Sequence, residues 1–439
     1  MDLDEKLKLI KKTRDARLKG DGVSRVWDAI DKTEGLTTKE KLEKLISLTR
    51  TGPHPKPAKT FLRERGTPPF EVFERQYSPS CRYGRIPVAS GLRISGETLA
   101  LLSRDRAFAG LDLASALFLD LETTGLSGGV GVVPFLTGLA FYREGKFNIV
   151  QYLLHELNAE DRMIEELNGF IERMKFESVV SFNGKAFDLP LLETRFILHR
   201  KPFPLAELPH LDFLFSARSL WKHKHESCRL FHLSREVLFA DRAEDISSAE
   251  IPMRYFQYLR TGDFSLIEPI LYHNQEDLLS LLGVVIAGAL LVSEDRDGDG
   301  VADWADGADM FGAARVFEHA GDLKQSVRYL EKALEGRISG EMAVLAKKKL
   351  SYILKKNQSW EKAIALWKDL TPANQLFCFK ELAMYYEHKE KNYQEARRLA
   401  EEGLALSLGV SLEYEEDFLR RLGRLRKKMD RPLKKTKKP

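Results

Sequence analysis

Asp120-Leu-Glu122 closes a short apolar run, Ala116 to Leu121, that reads as a β-strand. Two residues apart on a strand, both carboxylates project from one face, while Leu119 and Leu121 point to the other. Like charges this close repel unless a cation sits between them, and hard oxygens on a rigid strand suit Mg²⁺ or Mn²⁺. Alone the pair is a weak signal, since exposed strand faces often carry acids. A second acid follows in Asn183-Gly-Lys-Ala-Phe-Asp188, directly after the apolar run Ser178 to Phe182 and at the opening of a helical segment. There Gly184 allows a tight turn, Asn183 is placed to cap the helix, Phe187 can pack, and Asp188 points back toward the strand ends. By itself an Asn-Gly pair signals only a turn. The third acid ends His273-Asn-Gln-Glu-Asp277 and runs into an apolar helix. A charge at the head of a buried helix needs a partner, and a metal would supply one.

The surrounding elements must bring these acids together. Phe135 to Phe141 and Phe147 to Leu154 read as strands joined by the turn Arg143-Glu-Gly-Lys146. Asp161 to Met174 and Phe187 to His199 carry helical periodicity, and Ile267 to Val292 reads as one or two helices. A strand meander followed by alternating strands and helices predicts an α/β core with a mixed sheet and flanking helices. Phe70 to about Gly110 reads as a strand-and-turn lead-in. In the last third the strand signal stops and small residues recur, Ser326, Ala363 and Ala396, at intervals of 37 and 33 residues. That is close to the roughly 34-residue tetratricopeptide period, so an all-α helical hairpin array is expected. The expected organisation is a helical and linker extension (1–60), the α/β domain with its lead-in (61–293), an acidic linker (294–308), the repeats (309–425) and a basic tail (426–439).

Taken together, Asp120-x-Glu122, then Asn183-Gly-x-x-Phe-Asp188, then an acid preceded by His or Tyr resembles the three-motif pattern of DEDD 3′–5′ exonucleases with a ribonuclease-H-like fold. The second motif matches at every specified position. The run Phe118-Leu-Asp-Leu-Glu-Thr-Thr-Gly125, the segments Leu211 to Arg218 and Ile251 to Gly262, and the repeat-bearing tail are similar to the YprB-type ribonuclease-H-like proteins of bacteria. The likeness covers residues 70 to 290 well and the tail loosely. The resemblance implies that Asp120, Glu122, Asp188 and Asp277 hold two Mg²⁺ or Mn²⁺ ions, which would activate a water for attack on a terminal phosphodiester and stabilise the leaving 3′ oxygen. It also implies that Thr123, Thr124 and Gly125 contact the terminal nucleotide, a plain turn being the alternative. Asn183 and Phe187 would stand beside them on the substrate side.

The third motif departs from both subtypes of that family. One subtype has His five residues before the last Asp and the other has Tyr four before it, whereas here Tyr272 stands at minus five and His273 at minus four. On a continuous helix, four residues turn about 400°, which leaves His273 about 40° and Tyr272 about 140° from Asp277. His273 is therefore the candidate general base, since imidazole takes a proton near neutrality. A helix starting later would let Tyr272 orient the water instead. Asp212 is either a support behind the metal ligands or a helix cap. Trp221-Lys-His-Lys-His225 has the composition of a surface that touches phosphates.

A separate signal spans the linker. Asp295, Asp297, Asp299, Asp303 and Asp306 occupy positions 1, 3, 5, 9 and 12 of a calcium-loop spacing, with Gly300 at position 6. Position 12 is Asp rather than the longer Glu and no second loop pairs with it, so Ca²⁺ is the lesser expectation beside a plain acidic linker. Three scattered cysteines, Cys81, Cys228 and Cys378, exclude a disulfide scaffold or zinc ribbon and suit a reducing compartment. Met1 to Lys12 is charged, so no signal peptide is expected. The apolar run Leu278 to Val292 has 15 residues, short of the roughly 20 that span a bilayer. A cytoplasmic location without membrane contact follows as an expectation. The net charge of +4 hides an asymmetry: Arg420 to Lys438 holds 11 basic residues and one acid, which leaves −6 on the rest. Such a tail suits nucleic acid or simply a solvated terminus. The sequence thus predicts a metal-dependent nuclease, a 3′–5′ exonuclease on DNA or RNA, whose repeats hold a protein partner or the substrate. The alternative is a catalytically weak nucleic-acid-binding scaffold that acts through its repeats.

Overall fold

The computed structural model describes residues 68–125, 131–242, 245–293, 304–336 and 338–430. Among the described residues there are eight strands: β1 (Phe70–Tyr77), β2 (Arg82–Tyr83), β3 (Ile86–Pro87), β4 (Ala116–Thr123), β5 (Pro134–Arg143), β6 (Lys146–Leu154), β7 (Ser178–Ser181) and β8 (His210–Asp212). Six of them form one mixed sheet in the order β1-β6-β5-β4-β7-β8, and β2 and β3 form a separate ribbon. β1, β6, β5 and β4 pair antiparallel, whereas β7 and β8 run parallel to β4. The β5–β6 turn is tight because Glu144 and Gly145 both take positive φ, +53° and +74°, as a two-residue type I′ hairpin requires. The segment read as a lead-in is in part a sheet strand: β1 pairs along its whole length with β6, from Phe70↔Leu154 to Tyr77↔Phe147. That pairing joins segments far apart in sequence, which local patterning does not show.

Around the sheet lie α1 (Gly96–Ser103), α2 (Glu160–Met174), α3 (Asp188–Leu198), α4 (Phe213–Trp221), α5 (Leu230–Glu236), α6 (Ile251–Thr261) and α7 (Glu268–Val292). The odd residues of β4, Leu117, Leu119 and Leu121, pack with α2, α3 and α6. Helix α2 offers them Met163, Ile164, Leu167 and Ile171, one buried stripe at helical spacing, each side chain contributing about 1.5–3 kcal/mol. The even residues Ala116 and Phe118 face the other core, which α7 crosses. Both faces of β4 are therefore covered, and the carboxylate face lies under α7 rather than open to solvent. Helix α7 is apolar almost all round, as a helix surrounded by protein should be. Phe264–Val292 is long and apolar enough to cross a membrane, yet 89% of its apolar window is buried inside the protein.

Seven further helices follow among the described residues: α8 (Gly307–Ala320), α9 (Leu323–Glu335), α10 (Gly340–Lys356), α11 (Trp360–Leu370), α12 (Leu376–His388), α13 (Tyr393–Ser407) and α14 (Leu412–Met429). Each packs on the next. Ser326, Ala363 and Ala396 hold the same place near the start of α9, α11 and α13, and each is fully buried where paired helices approach. The core on the α7 side of the sheet runs without a break into these helices, through Phe311, Val316 and Trp367 to Phe418. Helix α8 docks on α4 so closely that a Cβ on Gly312 would stand 2.0 Å from the Leu220 carbonyl oxygen. The Trp221–His225 stretch serves this docking in part, a correction to the phosphate-touching surface. His223 Nε2 donates to the Ala308 carbonyl at 2.7 Å, and Lys224 pairs with Asp309 at 2.7 Å and Asp306 at 3.0 Å.

Candidate active site

Asp120 and Glu122 sit near the C-terminal end of β4, opposite Gly138 and Leu136 of β5. Gly138 has a steric role: a Cβ there would lie 2.1 Å from Asn274 Oδ1. Its absence lets α7 lie against the strand, so that Asn274 Nδ2 donates to Asp120 Oδ2 at 2.7 Å. Gln151 Nε2 donates to Asn274 Oδ1 at 2.8 Å and to the Leu271 carbonyl at 2.9 Å, which fixes the amide. Asp120 is thus aimed by a buried chain of hydrogen bonds running from β6 through α7.

Asp188 arrives from the other side, as the first residue of α3. The loop before it differs from the sequence reading. Asn183 takes φ +70° and does not cap α3, which begins only after Phe187. Gly184 is needed for space: a Cβ would lie 2.4 Å from Ser181 Oγ and 3.2 Å from Asp188 Oδ2. Asp212 accepts from the backbone N–H groups of Asn183 at 2.8 Å and Lys185 at 3.1 Å, and also from Leu214 N at 3.2 Å. It therefore caps α4 and braces the loop that presents Asp188. Phe187 packs against the core that Leu117, Leu119 and Leu121 share with α2, α3 and α6.

The third group projects from inside α7. Asp277 does not head the helix, which starts at Glu268. His273 lies on the Asp277 side, its Nε2 3.6 Å from Asp277 Oδ2 and 3.7 Å from Glu122 Oε1, whereas Tyr272 is 39% exposed on another face. His273 Nδ1 is bound to Asp245 Oδ1 at 2.6 Å. Arg242, fully buried, pairs with Asp245 and donates to Asp277 Oδ1 at 2.6 Å. Acids from β4, α3 and α7 thus meet at one end of the sheet.

A family model for the RNase_H superfamily matches residues 117–287, from β4 to α7. The chain is also 33% identical over 339 residues to YprB of Bacillus subtilis (strain 168), an uncharacterized protein, across 74% of this chain and 78% of YprB. This chain belongs to the YprB family of the ribonuclease H superfamily. Its fold supports a nuclease-type hydrolase that acts on nucleic acid.

The field at this ribonuclease-H-like site is unbalanced. Burial first, then the charges of Asp277, Glu122 and Asp188, push the Asp120 carboxyl well above the carboxylate range. Glu122 is raised likewise by burial and then by Asp277, Asp188 and Asp245. Burial pushes Asp188 up to about 7, although backbone N–H groups of its own residue and of Leu121 work against the rise. Burial would lower His273, but the hydrogen bond to Asp245 and the charges of Asp277 and Asp120 win and raise it, favouring the imidazolium. Asp245 is held low: burial opposes this, yet His273 and Arg242 outweigh it. Among the described residues no three His, Cys, Asp or Glu side chains already converge at metal-ligand spacing. The donor set nonetheless fits a hard divalent ion, being buried carboxylate oxygens that repel one another and lack enough positive charge.

The loop after β4 spends its hydroxyl groups internally. Thr123 Oγ1 donates to the Gly125 carbonyl at 2.6 Å, and Thr124 Oγ1 accepts from Val133 N at 3.0 Å. Of the calcium-spaced acids, Asp306 caps α8 in a reciprocal box with Asp309, while Asp295, Asp297, Asp299 and Asp303 lie outside the described residues. Sequence reasoning missed Arg242, Asp245, Asn274 and Gln151. Asn274 was within reach, since it stands one turn before Asp277 on the same helix. Arg242 and Asp245 lie between helices with no periodicity to mark them.

Proposed function

We propose that this chain is a metal-dependent 3′–5′ exonuclease that hydrolyses terminal phosphodiester bonds of DNA or RNA. The observation carrying this reading is the meeting of Asp120, Glu122, Asp188 and Asp277 from three separate elements, with three of their carboxyls pushed up by burial and mutual charge. These four would hold two Mg²⁺ or Mn²⁺ ions, which supply charge for the attacking water and the leaving oxygen. The chain's own residues do the positioning. Asn274 holds Asp120 in place and Arg242 holds Asp277. Asp245 grips His273 Nδ1 and leaves Nε2 facing Glu122 and Asp277, the orientation needed to take a proton from water. The carboxylate field that favours imidazolium weakens once cations share its charge, which returns Nε2 to the proton-accepting form. Thr123, Thr124, Gly125, Asn183 and Phe187 would border the terminal nucleotide mainly through backbone and shape.

The test is digestion of 5′-labelled single-stranded DNA and RNA with Mg²⁺ or Mn²⁺, comparing wild type with Asp120→Ala. A ladder that shortens from the 3′ end and vanishes in the variant is expected. Internal cuts would replace the exonuclease with an endonuclease. No cutting of any strand would remove the nuclease reading.

A further inference from the structure

Next to the loop that presents Asp188 lies a cleft of about 600 Å³, which shares only Asn183 with the proposed site. Phe182 and Asn183, on the loop that presents Asp188, form one wall, and α4 with the loop from Glu226 to Leu230 forms the others. Three cations line it, Arg218, Lys222 and Arg229, against one acid, Glu226, so the cleft is electropositive. All three cations are exposed. Arg218 on α4 and Lys222 at its C-cap fall four residues apart and so share one side of the helix, with Phe215, 54% exposed, one turn earlier. Lys222 thus parts company with its neighbour Lys224, which is spent on Asp306 and Asp309. The charges of Arg218, Lys222 and, from α8, Arg315 all act on the Cys228 thiol in this cleft, although burial outweighs them and raises that thiol.

We propose that this cleft holds the single strand of nucleic acid running away from the end being cut, with Arg218, Lys222 and Arg229 on its phosphates and the half-buried Phe182 offering its ring to a base. Cationic rims with aromatic faces suit an unpaired strand, because a duplex keeps its base faces stacked inside. Asn183 in the cleft wall belongs to the loop that leads to Asp188, so a strand lying there would run toward the carboxylates. The direction of the strand rests on the nuclease reading, whereas the groove itself does not.

The test is binding of fluorescently labelled oligothymidylate by the full chain in EDTA across a range of KCl, for wild type and Arg218→Gln/Lys222→Gln. Each phosphate contact adds about 0.7 to the slope of log affinity against log salt on single strands, so the double variant should lose about 1.4 of slope and at least tenfold in affinity. Lys324→Gln/Arg328→Gln, which removes the same charge from exposed positions on α9, should change neither. Equal losses in both variants, unchanged binding in the first, or no binding by wild type would overturn the groove. Binding through the groove without cleavage in Mg²⁺ or Mn²⁺ would sink the nuclease reading alone.

Discussion

The sheet end and the helical array both bury charge, and they treat it in opposite ways. In the array, Glu387 is 1% exposed yet ringed by cations: Arg421 at 2.8 Å, Lys428 at 2.9 Å and Arg424 at 3.5 Å. Burial opposes ionisation there, but those partners hold the carboxyl below its ordinary value. Glu381 is paired in the same manner with Lys355 at 2.6 Å. At the sheet end, Asp120, Glu122 and Asp188 are raised because burial and the charges of neighbouring carboxylates outweigh His273 at Asp120 and the backbone N–H groups at Asp188. A buried acid surrounded by fixed cations holds helices together. Buried acids gathered against one another, on rigid elements, carry a surplus of negative charge that a bound cation would balance.

The contrast can be broken in graded steps. Asp188→Asn should lower cleavage by roughly a thousandfold or more, several kcal/mol of transition-state stabilisation, while metal-free thermal stability rises because one repelling charge is gone. Steady-state rates and melting curves check both halves. In the array the sign reverses: Glu387→Ala should cost about 3 kcal/mol in urea unfolding, since it strands the buried Arg421. That lies at the lower end of such losses because Asp417 stands 3.6 Å away as a substitute partner. Asn274→Ala should reduce cleavage or metal affinity by roughly 10–100-fold with the fold intact. Gln151 keeps its bond to the Leu271 carbonyl, so no buried donor is orphaned there.

The smallest effect is a pH dependence. Because Asp188 is raised from 3.8 to about 7, its protonated form is the one the fold prefers. Its stabilising contribution is therefore present below pH 4 and is lost as pH rises toward 7. Without metal, the melting-temperature advantage of Asp188→Asn over wild type should widen across that window, and Mn²⁺ should narrow it. A constant difference would mean that Asp188 titrates normally.

How much of this could be read beforehand follows from how local each signal is. The pair Asp120 and Glu122 shows on one strand by alternation alone, and His273 with Asp277 shows on one helix by its turn. The mixed sheet follows from the order of elements. Where a residue's duty depends on a distant neighbour, the reading failed. Asn183 and Gly184 looked like a cap and a tight turn, yet Asn183 takes the left-handed conformation while Gly184 makes room for Ser181 and Asp188. β1 needed its partner β6, and His223 and Lys224 needed α8, before their roles were visible. Arg242 and Asp245 sit in a connection whose meaning comes entirely from contact with α7.

The central claim is that the carboxylates at the sheet end form a metal centre, and calorimetric titration of the metal-free chain with Mn²⁺ tests it most directly. Two bound ions per wild-type chain, with one or both lost in Asp120→Ala and unaltered in Glu387→Ala, is the predicted result. Equal binding by wild type and Asp120→Ala, or none by wild type, would contradict it.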